Sequence, residues 1–297
     1  MVKYNFGWYF LGIILLLIFL LSDGVIAQTN ISSCTTISSP GEYLLTQNIM
    51  SSGVSSCINI TSSDVIFDGA GYIMDGIDAP STYGVYVENA STALTNVTVT
   101  NLKLTEWVTG ISYNATGGTM TNISANSNHN CGIVLYFSNN NTFSNITSNS
   151  NLDCGINLLT SNNNKLFNIK SNLNSNIGIK LMASSNNTLF NNIANSNTFD
   201  GIYLTSSSNY NILSNNSANS NGDIGIYLIT SSNYNILNSN TVNSNNHYGI
   251  SLHSSLNNSL SNNIVNLNRN MGIYLITSSD SNILINNTVN SNLNSGI

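Results

Sequence analysis

Charge is nearly missing from this chain. Of 297 residues only 6% are Asp, Glu, Lys or Arg, against roughly 25% in an ordinary domain. Six Lys and Arg stand against twelve Asp and Glu, for a formal net charge of −6. So few cations cannot neutralise a run of phosphates, which excludes a nucleic-acid partner. Solubility must come from Asn, Ser and Thr, with attached glycans as a second source. A helical apolar face is also missing, and Asn, Ser, Thr and Gly are weak helix formers. No clustered, CxxC-like ligand set is present, so no zinc site is expected. Past Leu21 no run is apolar enough to cross a bilayer, which takes about 20 residues.

What is there begins with a targeting segment, residues 1–27. Lys3 supplies a positive start, Phe10 to Leu21 an apolar stretch of signal-peptide length, and Val25-Ile26-Ala27 a small-residue cleavage site before Gln28. Left uncleaved, the same segment would be an N-terminal anchor and the chain's one route to a membrane. Either outcome places the rest outside the cytoplasm, secreted or at the cell surface, where disulfides are permitted. A Cys34–Cys57 bridge would staple the free end of the mature chain. Cys131 and Cys154 each directly precede a repeated Gly, 23 residues apart. Stacked at one strand spacing with parallel Cβ vectors, they fall just outside comfortable bridge geometry. That favours a pair of thiols over a bond.

Residues 28–80 read as an N-terminal cap with the first coils. Ser39-Pro40-Gly41, Asp68-Gly69 and Asp75-Gly76 are turn signals between short strand-like runs. From 81 to 297 the chain is a repeat. Gly-aliphatic pairs begin at Gly84, Gly110, Gly132, Gly155, Gly178, Gly201, Gly225, Gly249, Gly272 and Gly296, in steps of 22 to 26 residues. A period in the twenties means one supersecondary unit stacked on copies of itself.

Aligned on that Gly, the units from Gly132 onward show phase-locked columns. Ile follows Gly directly, and Leu comes two residues later, which is the alternation of a strand with one buried face. A polar column eight residues after Gly holds Asn140, Asn163, Asn186, Asn209, Asn233 and Asn257, ending at Asp280. A second begins Asn145, Asn168 and continues Asn192, Asn216, Asn240, Asn263 and Asn287. The Leu-x-x-Leu-x-Leu spacing of a leucine-rich repeat is missing. A single-stranded parallel β-helix of about 23 residues per coil fits: all-β, three short strands per coil, right-handed by the crossover rule. Stacked Asn suits its turns, because an amide both donates and accepts and can bond up and down the file. Acceptor-only Asp280 weakens the file there. Stopping at Gly296-Ile297, the solenoid is expected to be open at its C-terminal end, either continuing into a further segment or capped by a partner.

The Gly-Ile-Tyr-Leu-x-x-Ser-Ser-Asn-x-Asn-Ile-Leu units, clearest at Gly201 to Leu213 and Gly225 to Leu237, resemble the right-handed β-helix repeats of the NosD-like group, part of a wider set of carbohydrate-binding and sugar-hydrolase repeat proteins. Ser-Pro-Gly-Glu-Tyr-Leu-Leu, followed by Cys57-Ile58-Asn59-Ile60 and Val65 to Gly71, is similar to the opening of many exported archaeal surface proteins of this fold. The resemblance spans about residues 31–297. It implies the fold firmly, and lyase, hydrolase, copper-site maturation or surface roles alike.

Chemistry is sparse. The best carboxylate pair is Asp200 with Asp223, each close before a repeated Gly in consecutive coils, with Asp153 two coils earlier. Such a pair would serve calcium or glycan cleavage, yet Asp is also an ordinary turn residue. Lys180 and Arg269 do not converge on it. Copper would want grouped His, Met or Cys, whereas His129 stands apart, His247 and His253 lie one strand from each other, and Met182 and Met271 are isolated. A binding face has more behind it. Tyr203 and Tyr227 point outward on adjacent rungs, and Tyr210 with Tyr234 forms a second pair beside the Asn column. Tyr stacks on sugar rings, although it is also simply a good strand residue. Sequons such as Asn59, Asn96, Asn122, Asn145 and Asn286 are no more numerous than composition gives by chance. The expectation is therefore a non-enzymatic structural or glycan-binding surface module, with neither metal nor other cofactor. A polysaccharide-active enzyme using Asp200 and Asp223 is the first alternative, and a copper-maturation component the second.

Overall fold

A computed structural model describes residues 28–297; the expected targeting segment lies outside the described residues. Among these there is no helix, and every named strand pair is parallel. The chain winds as a right-handed parallel β-helix of about 11 turns. One side is an eleven-stranded sheet and a second side a thirteen-stranded sheet. Strands within residues 28–80 already belong to both stacks, for instance Thr35–Ile37 and Ser56–Ile60 in the first.

The Gly-Ile-x-Leu unit makes the first strand of each coil, such as Ile156–Leu159, Ile179–Met182 and Ile202–Thr205. Alternation buries its first and third residues and turns the second outward. Ile133, Ile156, Ile179, Ile202, Ile226, Ile250 and Ile273 pair rung to rung in one buried file. The second strand, such as Lys165–Phe167, sends in one residue, giving the file Leu166, Leu189, Leu213, Leu237 and Leu260. The third side differs from the three-strand expectation. From Thr147 to Thr288 it is a file of single-residue bridges. Left-handed residues on both sides, Asn191 and Ser196 in one coil, leave too few extended residues for a strand.

The buried polar files also differ from the expected one. Asn140, Asn163, Asn186 and Asn257 are exposed and left-handed (φ 56 to 59°), a conformation Asn tolerates better than most residues. Asn209 and Asn233 belong to yet another, half-exposed file, where their Oδ1 atoms accept backbone N–H groups from the following coil. The continuous interior ladder runs through Asn141, Asn164, Asn187, Asn211, Asn235, Asn258 and Asn282. In each coil one Asn donates from its backbone N to the Oδ1 of the next. Its own Nδ2 adds a second bond along the file as far as Asn235. At Asn235 and Asn258 the Nδ2 groups have no partner, so the amide–amide link lapses there, before Asp280. Two further files line the other corners: Asn192, Asn216, Asn240, Asn263 and Asn287, and Asn128 through Asn292.

Cys34 and Cys57 are bonded, with Cα atoms 4.3 Å apart. Cys131 and Cys154 are bonded as well, at 4.5 Å, which corrects the expectation of stacked thiols. One rung of separation already lies at the short end of the bridgeable Cα range. The pair is buried in a small apolar cluster with Val134 and Ile177, outside the main core, and Tyr203 packs on it.

Candidate functional site

The outward residues of the eleven-stranded sheet form a continuous row in strict register: Asn59, Tyr86, Ser112, Val134, Asn157, Lys180, Tyr203, Tyr227, Ser251 and Tyr274. Tyr203 and Tyr227 stand on adjacent rungs with ring centroids 5.5 Å apart and planes tilted by 52°. The tilt keeps the two rings from covering each other face to face, and both side chains are half-buried. Next to them lies a shallow depression of about 280 Å³, lined in part by Asp223, Tyr227, His247, Ser251, His253 and Tyr274.

Asp223 and His247 occupy the same corner file one coil apart. His247 N–H donates to the Asp223 carbonyl at 3.1 Å, and His247 Nδ1 lies 3.0 Å from Asp223 Oδ1. This double link fixes the imidazole, whose face stacks on Tyr248 at 3.8 Å. Tyr248 in turn stacks on Tyr274 at 4.5 Å. The rim is therefore aromatic and carries an oriented imidazole–carboxylate pair. His247 as partner of Asp223, and Tyr248, were not picked out as site residues from sequence. The signal was present, since His247 follows Asp223 by 24 residues, one coil.

Asp200 stands in the file next to that of Asp223, and the Asp223 N–H bonds to Phe199 O rather than to Asp200. Asp200 is buried at 8% exposure, and its Oδ1 accepts the Ile224 N–H at 3.0 Å. Burial raises its pKa to about 7; the Ile224 bond pulls the other way and the charge of Asp223 adds a smaller push upward. Near neutrality this carboxyl therefore carries a proton for much of the time. Tyr227 is pushed up to about 12, first by burial and then by Tyr203, Asp200 and Asp223. Tyr248 is raised by burial and by Tyr274.

Tyr210 and Tyr234 lie elsewhere, at the corner leading to the thirteen-stranded sheet. Their rings stack at 5.0 Å with planes within 7°, so each covers one face of the other. Both are nonetheless more exposed than Tyr203 and Tyr227, which are half-buried. Both occupy the left-handed position that Asn fills in neighbouring coils.

The chain belongs to the right-handed β-helix family: the profile described as a right handed beta helix region matches residues 48–217. A second profile, described as periplasmic copper-binding protein (NosD), matches residues 167–297. Solved structures share the fold at low identity. The Azotobacter vinelandii mannuronan C-5 epimerase AlgE6 A-module superposes with a TM-score of 0.75 at 14% identity, covering 92% of this chain and 86% of that one. The periplasmic alginate epimerase AlgG gives 0.66 at 16%, covering 85% and 76%. The catalytic domain of a GH87 α-1,3-glucanase gives 0.59 at 14%, covering 91% and 60%. No curated protein matches the sequence.

The copper-binding description invites a test of the donor set. Among the described residues, one group of three metal-ligating side chains converges: Cys131, Asp153 and Cys154, within 4.8 Å. Its two sulfurs are bonded to each other, and a disulfide offers no thiolate. His247 has one ring nitrogen engaged by Asp223. These residues as arranged do not fit a copper centre. Nor do Asp200 and Asp223, in different files, supply the six to eight oxygens that calcium takes.

Proposed function

We propose that the outer face of the eleven-stranded sheet from Tyr203 to Tyr274 binds glycan, and that the protein is an exported surface module that contacts carbohydrate without turning it over. The observation that carries this reading is the aromatic strip itself. Tyr203, Tyr227 and Tyr274 face outward in one row, and Tyr248 adjoins it. Around them Asp223, His247 and His253 offer donors and acceptors at the edges of the rings. Outward aromatic rings bordered by hydrogen-bonding groups suit a sugar's apolar face and hydroxyl rim. Two disulfides fit an oxidising compartment.

One observation favours a second reading, a polysaccharide-active enzyme. Burial raises the Asp200 pKa to about 7, toward the range of a general acid, and it stands near the Asp223–His247 pair, which resembles an oriented base. Against it, the Asp200 carboxyl is buried and turned to a backbone N–H. Glycan-array binding by the wild type, lost in Tyr203→Ala/Tyr227→Ala, supports the binding module; a silent array overturns it. Depolymerisation or epimerisation abolished by Asp200→Ala/Asp223→Ala would establish the enzyme instead.

A further inference from the structure

The same row of outward residues carries a second aromatic platform near its other end. Tyr83 and Tyr86 lie at 4.9 Å with rings tilted by 40°, and the Tyr86 hydroxyl donates to the Glu88 carboxylate. Tyr136 and Phe137 complete the rim of a depression of about 280 Å³. Phe137 is 60% exposed and holds a left-handed backbone (φ 49°) where neighbouring coils place Thr160 and Ala183. Left-handed conformation is uncommon for a bulky residue, and an aromatic ring at this corner occurs in no adjacent coil.

Between Tyr86 and Tyr203 the row itself lacks aromatics, although Tyr136 stands beside Val134 on the same rung. From Tyr86 it runs through Ser112, Val134, Asn157 and Lys180 to Tyr203. Ser112 and Val134 are buried, and the Cys131–Cys154 cluster packs beside Val134. At strand spacing Tyr86 lies five rungs from Tyr203, about 24 Å, and Tyr136, on the Val134 rung, lies three rungs away, about 14 Å. A pyranose and its linkage advance an extended chain by close to one rung. About four sugars in line would therefore reach from Tyr136 to Tyr203, and about six from Tyr86. Both platforms carry a carboxylate, Glu88 and Asp223, while the row between them offers one cation, Lys180. A densely anionic chain would meet like charge at each end.

We infer that this face is a two-point cradle for one linear, neutral polysaccharide lying along the solenoid axis, with Tyr83, Tyr86, Tyr136 and Phe137 as its second contact site. The inference rests on the glycan reading above and adds the length, direction and charge of the ligand.

Titration calorimetry with neutral β-1,4-linked gluco- and manno-oligosaccharides, and with oligouronates, from about two to about eight sugars, tests it. Joining two weak sites through one ligand raises affinity without new contacts. Affinity should climb by about 10- to 100-fold as the chain lengthens from about four to about six sugars. Tyr86→Ala/Phe137→Ala should remove the climb and leave short oligomers unaffected. Asn157→Trp, which raises the floor between the platforms, should do the same without touching either. If binding exists but does not depend on length, or keeps its climb in both variants, the cradle is wrong while the glycan reading stands. Oligouronates binding more tightly than neutral chains would overturn the charge assignment. If no oligomer or polysaccharide binds at any length, the glycan reading fails and takes the cradle with it.

Discussion

Asn211 is joined to Asn187 on one side and Asn235 on the other by every polar atom of its amide. Its Oδ1 accepts from Asn187 N at 2.8 Å and from Asn187 Nδ2 at 3.1 Å. Its Nδ2 donates to Ser184 O at 3.0 Å and to Asn235 Oδ1 at 3.1 Å. Removing the amide strands donors and acceptors that are all buried, each costing about 1–3 kcal/mol. Asn211→Ala should therefore lower the denaturation midpoint markedly. Asn211→Asp should be worse at neutral pH, because a carboxylate cannot donate to Ser184 or Asn235 and brings a buried charge. Exposed Asn186, one residue before Asn187, should tolerate Ala with a far smaller loss. Urea titration of the three variants checks the order.

That contrast also shows what could be read from sequence. The Gly-Ile stride, the Ile file and the solenoid were legible because each is a periodic pattern of one residue type with one physical role. The Asn file was not, because most units carry Asn-Asn doublets such as Asn163-Asn164 and Asn186-Asn187. One member is the left-handed turn residue and the other the interior rung. Only Tyr210-Asn211, Tyr234-Asn235 and Ser281-Asn282 break the doublet and reveal which member is kept. A second obstacle was the extra residue in the longer coils, which enters at Ser206-Ser207 and Thr230-Ser231 as consecutive left-handed residues. It shifts every later column by one. Tyr203 and Tyr227 were legible as an outward pair. The Asp223–His247 pair was not, because its own file, Asn176, Phe199, Asp223, His247 and Asn270, changes residue type from coil to coil.

Asp200 makes stability depend on pH in a defined direction. Its folded pKa is raised to about 7, above an unfolded value of about 3.9. The folded state thus holds its proton more tightly than the unfolded chain. Below pH 4 both states are protonated and nothing is lost. As pH rises from about 4 to about 7 the unfolded chain ionises first, and stability falls by a few kcal/mol; above that the penalty is constant. Asp200→Asn keeps an acceptor for Ile224 N–H and cannot ionise. It should match the wild type at pH 4 and exceed it at pH 8. Denaturation midpoints at the two values decide the matter, and equal midpoints at pH 8 would sink it.

The Cys131–Cys154 bond ties the coil that carries Tyr136 and Phe137 to the next coil toward Tyr203. Its partners are 23 residues apart, and closing a loop of that size restricts the unfolded chain by about 3 kcal/mol. Cys131→Ser/Cys154→Ser also places hydroxyls in the apolar cluster of Val134 and Ile177. We expect hydrogen exchange to speed up in the coils around Ile133 and Ile156 and to stay nearly unchanged around Ile250. Uniform exchange in wild type and variant would mean that the bond contributes nothing to those coils.

Gly201 lets neighbouring coils pack closely, and its substitution should be among the most damaging in the chain. Its φ is not in the left-handed region, so backbone freedom does not explain it. Space does. A Cβ there would lie 2.6 Å from Gly225 O, 2.7 Å from Asn221 Nδ2 and 2.8 Å from Ala194 O. Two of those atoms are backbone, and the third is held in a buried Asn file, so none can yield without breaking a ladder. The stride of glycines is thus a record of the Asn files beside them: wherever the interior amide approaches, the first strand has room only for hydrogen. Overpacking a core usually costs about 1–3 kcal/mol; with backbone on two sides, Gly201→Ala should exceed that range. Gly296→Ala is the control, since its added Cβ meets nothing nearer than Val289 O at 3.3 Å and should cost little. If the two variants melt together, the steric account of the repeat is wrong.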